Sequence, residues 1–303
     1  SGGKRITGWT KEGNLWKADA EMGINSRQLY INGVRAVRAK SAGGLPGAIK
    51  TASGYTTTDV NMQNWQNQSD IEFVANLAWK QFRCPIQNIV GNTITMQQPC
   101  WTNANLHKDI TTGWDLTMPV PSWIENAFEF LDQPNEWYLN RQTGFIYYYP
   151  RPNEDPNNEE VILPILENLV VGNGLTDSPI HNIIFKGITF SFATWLRPGS
   201  NEGFAEMQGN LTITGTNFTS NADIYKFPVG SWTKPQANIY FSHANGIVFD
   251  RDTFTHFGGA GLNFDRGTKD SSVIGSEFTD ISSNGIIIGD VDQLPSVGPG
   301  NVL

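Results

Sequence analysis

The sequence predicts an all-β protein in which antiparallel strands, to about residue 164, precede the coils of a parallel β-helical solenoid. Three observations carry this prediction. Short apolar runs punctuated by Gly, Asn and Pro fill the first half, and an internal repeat of about 24 residues fills the second. The composition, 31 Gly, 10 Trp and 17 Phe beside abundant Asn, Thr and Ser, suits tight turns and an aromatic, hydroxyl-rich surface of the kind that meets sugars.

With 39% hydrophobic and 17% charged residues over 303 positions, the chain is too apolar and too weakly charged for intrinsic disorder. Its net charge of −8 argues against a nucleic-acid partner, because counterion release needs clustered Lys and Arg. The charge also gives no attraction to acidic membranes. No apolar run approaches the ~20 residues of a membrane span, and the first residues lack a signal-peptide pattern.

In the first half the strand candidates are Asn14–Ala18, Arg27–Val34, Asp70–Val74, Thr93–Met96 and Glu136–Asn140. Their punctuation favours antiparallel sheets packed as a sandwich. Glu136–Tyr149 reads as a hairpin turning at Arg141-Gln142-Thr143-Gly144. Ser122–Leu131 predicts a helix: Ser122 caps it, Pro121 precedes it and Glu125 falls in its first turn. Cys84 and Cys100 flank two strands joined at Gly91-Asn92, which brings them close enough for a disulfide; two buried thiols are the alternative. No further ligand stands near them, so a zinc site is not expected.

The second half carries the repeat, seen in Asn182–Phe190, Asn210–Phe218, Gly246–Phe254 and Asp270–Phe278, with Phe-to-Phe spacings of 28, 36 and 24. A second strand set, Gly203–Gln208, Asn238–His243, Gly261–Arg266 and Gly285–Asp290, accompanies it. Short strands at this period without helices fit stacked parallel coils. The longer spacings predict loops inserted at Ala193–Gly203 and Asn221–Ala237, whose aromatics Trp195, Tyr225, Phe227 and Trp232 would wall a trench.

Several phrases add a family resemblance. Ser1–Trp9, Arg27–Ala39, Ile124–Asp132, Glu136–Asn140, Tyr147–Arg151, Gly187–Trp195 and Phe254–Leu262 together resemble the right-handed parallel β-helix glycoside hydrolases. These include the β-helical β-xylosidases and a related group of α-L-fucosidases and xylanases. The similarity runs through nearly the whole chain. It implies that residues 1–164 form a β-sandwich, with the first residues belonging to the β-helix, and that 165–303 form the opening coils of a right-handed helix. It also implies that the chain is a fragment lacking both ends, and it places the family's acid and base on later coils. An Asp-Gly-Gly-type phrase often carries them, and no such phrase is present here, so no catalytic residue is carried over.

Within the chain itself, Asp265 and Asp290 end matched strands one register position apart and are the nominated catalytic pair. Glycoside hydrolysis needs two carboxyl groups about 5–10 Å apart, and neighbouring coils lie ~4.8 Å apart. Solvated turn aspartates are the competing reading. The expected substrate-binding residues are Trp195, which would stack on a pyranose, Gln208 and Asn263 for hydroxyls, and His243 and His256 for a sugar oxygen. Arg266 completes the set, for a carboxylated sugar or a salt bridge. Packed or solvated structural roles stand beside each of these.

Asp250 and Asp252, flanking Arg251, read as a surface cluster, and Asp280 as a turn former. No cofactor or metal is expected, and Gly172-Asn173-Gly174 lacks the context of a nucleotide loop. The expected function is hydrolysis of a plant or microbial polysaccharide, bearing xylose or fucose, outside the cytoplasm. A β-helical polysaccharide lyase and a non-catalytic carbohydrate-binding solenoid are the alternatives. Asn67, Asn210 and Asn217 begin glycan-acceptor triplets, relevant only in a eukaryotic secretory host.

Overall fold

A computed structural model describes residues 1–106, 115–213 and 232–291. The regular structure of the described chain is almost all strand, antiparallel up to Pro164 apart from the parallel pairing of Val37–Arg38 with Glu136–Asn140, and parallel from Val170 onward except for one excursion.

Two sheets, antiparallel except where Val37–Arg38 runs parallel to Glu136–Asn140, share the first core. One has four strands, Gly3–Arg5, Val161–Pro164, Tyr30–Ile31 and Val34–Arg35; the other has five, including the hairpin of Glu136–Asn140 with Phe145–Tyr149. Alternation explains the burial: Trp137, Leu139, Ile146 and Tyr148 from one sheet meet Ile31, Val161 and Leu163 from the other. The expected hairpin turn at 141–144 is present, and Asn32-Gly33 reverses the chain between Tyr30–Ile31 and Val34–Arg35 with both residues at positive φ.

The long strand Lys80–Val90 organises a second core. It pairs with Glu72–Leu77 on one side and with Thr93–Met96 through the Gly91-Asn92 turn. Cys84 and Cys100 are disulfide-bonded, with Cα atoms 5.7 Å apart, which settles the two readings of the cysteines. Ser122–Leu131 is not a helix. Trp123–Glu125 is a strand on Glu72–Leu77, and Phe128–Phe130 is a single 3-10 turn. The Ser122 hydroxyl accepts from the Asn76 backbone N–H across the strands instead of capping a turn. Asn126, at φ 65, ends the strand.

From Val170 the chain visits three parallel sheets in rotation. The first holds Val170–Asn173, Ala237–Ser242, Ala260–Phe264 and Ile286–Ile288. The second holds Ile180–Lys186, Ala244–Asp250 and Ser272–Ile274, and the third Thr189–Ala193, Thr253–Phe257 and Glu277–Ile281. Equivalent residues stack: Phe190, Phe254 and Phe278 are in register, with ring centroids 5.3 and 4.2 Å apart. Phe185 stacks on Phe249 at 4.8 Å.

The repeat reading is corrected in one place. Gly203–Gln208 and the described part of Asn210–Phe218, up to Ile213, are not strands of the parallel sheets. Phe204–Gln208 pairs antiparallel with Lys80–Val90, and Leu211–Ile213 folds back on it. Phe190 is followed in the stack by Phe254, 64 positions later, so the spacings of 28 and 36 together span one excursion from the third sheet. Phe204-Ala205-Glu206-Met207 satisfied the repeat pattern but is buried on an edge of Lys80–Val90, with Ala205 in the second core. Gly203 makes the approach: at φ 58, any Cβ there would overlap Cys100 Sγ and the Arg83 carbonyl. Phe218, Tyr225, Phe227 and the Asn217 triplet lie outside the described residues, as does the tail from 292 to 303.

Two outcomes are expected in denaturant unfolding. Phe254→Ala, in a fully buried stack, costs about 3–5 kcal/mol. Replacing Cys84 and Cys100 together by Ser costs about 3 kcal/mol, from freeing a 16-residue separation in the unfolded chain.

Candidate active site

The outward positions of the first parallel sheet form a groove. Val171, Tyr240, Asn263 and Ile287 succeed one another in register, while Val170, Ile239 and Leu262 pack into the core. Val171, Tyr240 and Asn263, with Lys234, Asp265 and Asp290, line a cavity of about 420 Å³.

Asp265 follows Phe264, and Asp290 lies two residues beyond Ile288, which pairs with Phe264, so the two acids are offset by one position. They share a cation: Lys234 Nζ is 2.6 Å from Asp265 Oδ1 and 3.9 Å from Asp290 Oδ1, and donates to the Gly289 carbonyl. The Arg266 backbone N–H donates to Asp265. Its guanidinium donates twice to Asp290 Oδ2, at 2.9 and 2.6 Å, and the Val291 N–H donates to Asp290 Oδ1. Partial burial would raise the Asp290 carboxyl, but the Arg266 and Val291 hydrogen bonds and the Lys234 charge outweigh it and hold it below the usual range. Asp290 is therefore a carboxylate at neutral pH. Asn263 is 3% exposed, and its Oδ1 has no partner among the described residues.

The other nominated residues are spread out. His256 ties the parallel sheets to the antiparallel half: Nε2 lies 2.8 Å from the Gly33 carbonyl, and the ring stacks on Phe192 and meets Tyr30 edge-on. His243 sits in a corner at φ 46 with its ring beside Gly267. Gln208 is exposed at the end of the excursion strand, away from the coils on which it was expected. Trp195 is 6% exposed, packs edge-on against Phe204, and lines a second cleft.

Sequence reasoning missed two things. Lys234 follows the excursion and pairs with acids 31 and 56 positions away, so no local pattern marks it. The second is a buried ion cluster. Glu72 and Glu125 are direct cross-strand partners, an arrangement of like charges that destabilises a sheet unless compensated. Compensation comes from Arg27 and Arg38 on Glu72, with Arg38 and Arg83 each 2.8–2.9 Å from Glu125. Burial would raise both carboxyl groups, yet the guanidiniums hold them below the usual range. The available signal was charge within apolar strand runs, as at Glu72 and Arg83.

The comparisons point to glycoside hydrolases. Residues 13–151 match the model of the GH141 insertion domain. A solved structure described as a glycoside hydrolase is 27% identical, with a TM-score of 0.79, over 97% of this chain and 54% of that one. The chain thus spans about half the length of that protein. A structure titled as the complex of XylC with xylose aligns at 12% identity and a TM-score of 0.33, covering 88% of this chain and 30% of that one, and carries no argument. No curated protein matches. The chain is glycoside hydrolase-like in fold and sequence.

The ion cluster makes stability acid-sensitive. The Glu72 and Glu125 carboxyl groups have folded values below their unfolded 4.5, so their stabilisation is complete above about pH 4.5 and is lost as pH falls through the folded values. Glu125→Gln, which removes the nearer of the two carboxylates that Arg83 meets, is expected to cost about 3 kcal/mol at pH 7. It should also flatten the fall in urea midpoint between pH 5 and 3.

Proposed function

We propose that the chain forms part of an extracytoplasmic glycosidase that cleaves a xylose- or fucose-containing polysaccharide. In this reading the three parallel sheets are coils of a right-handed β-helix beginning near residue 165, preceded by the sandwich. The observation that carries the reading is the pairing of Asp265 and Asp290 over one groove, joined through Lys234. Two carboxyl groups sharing one ammonium are close enough to flank a single glycosidic bond, at separations of about 5–10 Å. The insertion-domain match and the glycoside hydrolase neighbour support the class of chemistry.

The electrostatics divide the roles. Asp290, held ionised by Arg266 and Lys234, suits the nucleophile or the base that activates water. Asp265, 2.6 Å from Lys234 Nζ, is then left with the acid's role at the other side of the bond to be cleaved. Asn263, in the groove wall, would accept from a sugar hydroxyl once substrate entry uncovers its buried Oδ1. Trp195, Gln208, His243 and His256 take no part in this reading.

A second reading has its own observation. Both carboxylates are already clamped by cations, the usual state of a structural pair. The groove would then bind glycan as one wall of a cleft whose acid and base come from elsewhere in the protein.

Reducing-sugar release from xylans, fucosylated glycans and aryl glycosides separates the two. The catalytic reading expects Asp265→Asn and Asp290→Asn each to lower kcat by about 100-fold or more with the fold intact. Turnover that survives both substitutions establishes the wall reading. An unsaturated, ultraviolet-absorbing product would overturn hydrolysis altogether.

A further inference from the structure

The antiparallel half and the parallel sheets meet over a second cleft, of about 400 Å³, whose chemistry differs from that of the groove. Its titratable lining consists of five cations, Arg27, Arg35, Arg38, Lys40 and Arg83, and one carboxylate, Glu125. In a chain with a net charge of −8 this concentration runs against the overall balance. The nearby acids do not cancel it. Glu72 and Glu125 are ion-paired with Arg27, Arg38 and Arg83, and Asp280 with Arg35, while Glu136 and Glu206 accept from the backbone N–H groups of Lys40 and Gln81, so among the described residues three carboxylates are ion-paired with four of the five cations and none with Lys40.

The excess charge is placed where a ligand can reach it. Arg83 uses Nη1 on Glu125 and Nε on Gln81, and its Nη2 has no hydrogen-bond partner among the described residues. Lys40 is exposed and makes no ion pair among them; its Nζ lies 5.7 Å from the centre of the Trp123 ring. Trp123 is half-buried, and Trp195 closes the opposite part of the lining. A cleft with fixed guanidinium and ammonium donors beside indole rings offers a carboxylate its counter-charges and a pyranose an apolar face.

We propose that this cleft binds a carboxylate-bearing sugar, a uronate unit, with Lys40 and Arg83 taking the carboxylate and Trp123 the ring. The site is separate from the Asp265 and Asp290 groove and does not depend on catalysis there. The polysaccharide bound by this protein would then carry acidic residues as well as the neutral sugar of the cleaved linkage.

Isothermal titration of the chain with digalacturonate, at low salt to limit screening, tests the proposal, with xylobiose and acetate as controls. Digalacturonate is expected to bind at least tenfold more tightly than either control. Lys40→Glu, an exposed substitution compatible with folding, should weaken it at least tenfold, while Asp265→Asn/Asp290→Asn leaves it unchanged. Equal affinity for xylobiose would remove the role of the carboxylate, and equal affinity for acetate the role of the sugar. Binding that survives Lys40→Glu, or is lost in the double Asp variant, would place the site elsewhere and overturn the proposal.

Discussion

Two carboxylates buried face to face set the terms for the antiparallel half. Glu72 and Glu125 are opposite one another on paired strands of the second core, with Glu72 fully buried. Neither could be charged there without counter-ions, because the desolvation cost of a lone buried carboxylate is several kcal/mol. Arg83 comes from the adjacent strand, but Arg27 and Arg38 come from the segment that builds the first core. The cluster therefore fixes how the two antiparallel cores sit against each other. It also leaves no room beside it: a Cβ at Gly199, at the start of the excursion, would press on Arg27 and Glu72.

The parallel sheets are joined to this frame by similar means. Arg35 reaches from the Tyr30–Arg35 hairpin to Asp280, Ser282 and the Phe257 carbonyl, and His256 returns the contact to Gly33. The excursion strand Phe204–Gln208 adds backbone pairing to Lys80–Val90. The cationic cleft lies among these ties, so its lining side chains come from both halves of the chain. The groove over Asp265 and Asp290 is built mainly by the first parallel sheet and the Lys234 segment. Two recesses with opposite architectures, one interfacial and one on a sheet, thus result from the same topology.

What could be read ahead of the structure followed short-range regularities. The Gly91-Asn92 and Gly144 turns, the strand Thr93–Met96 and the 24-residue interval from Phe254 to Phe278 all depend on neighbouring residues. Ser122–Leu131 misled because a Ser after Pro with an early Glu satisfies the local rules for a helix start, while the edge of Glu72–Leu77 needed a partner strand. Gly203–Gln208 misled for a related reason. A run of strand length with apolar residues records a strand, not which sheet takes it.

The sequence by itself determined the β class, the hairpins, the 24-residue interval between paired parallel strands and the two acids one register position apart, because each is written in spacing. Tertiary structure alone decided which cations those acids meet, that His256 and Trp195 pack between elements instead of facing the groove, and that a basic cleft exists in an acidic chain. The physical reason is common to all of them. Charges and aromatic rings act over a few ångströms of space, and the partners of Lys234, Arg27 and His256 lie tens to hundreds of positions away along the chain.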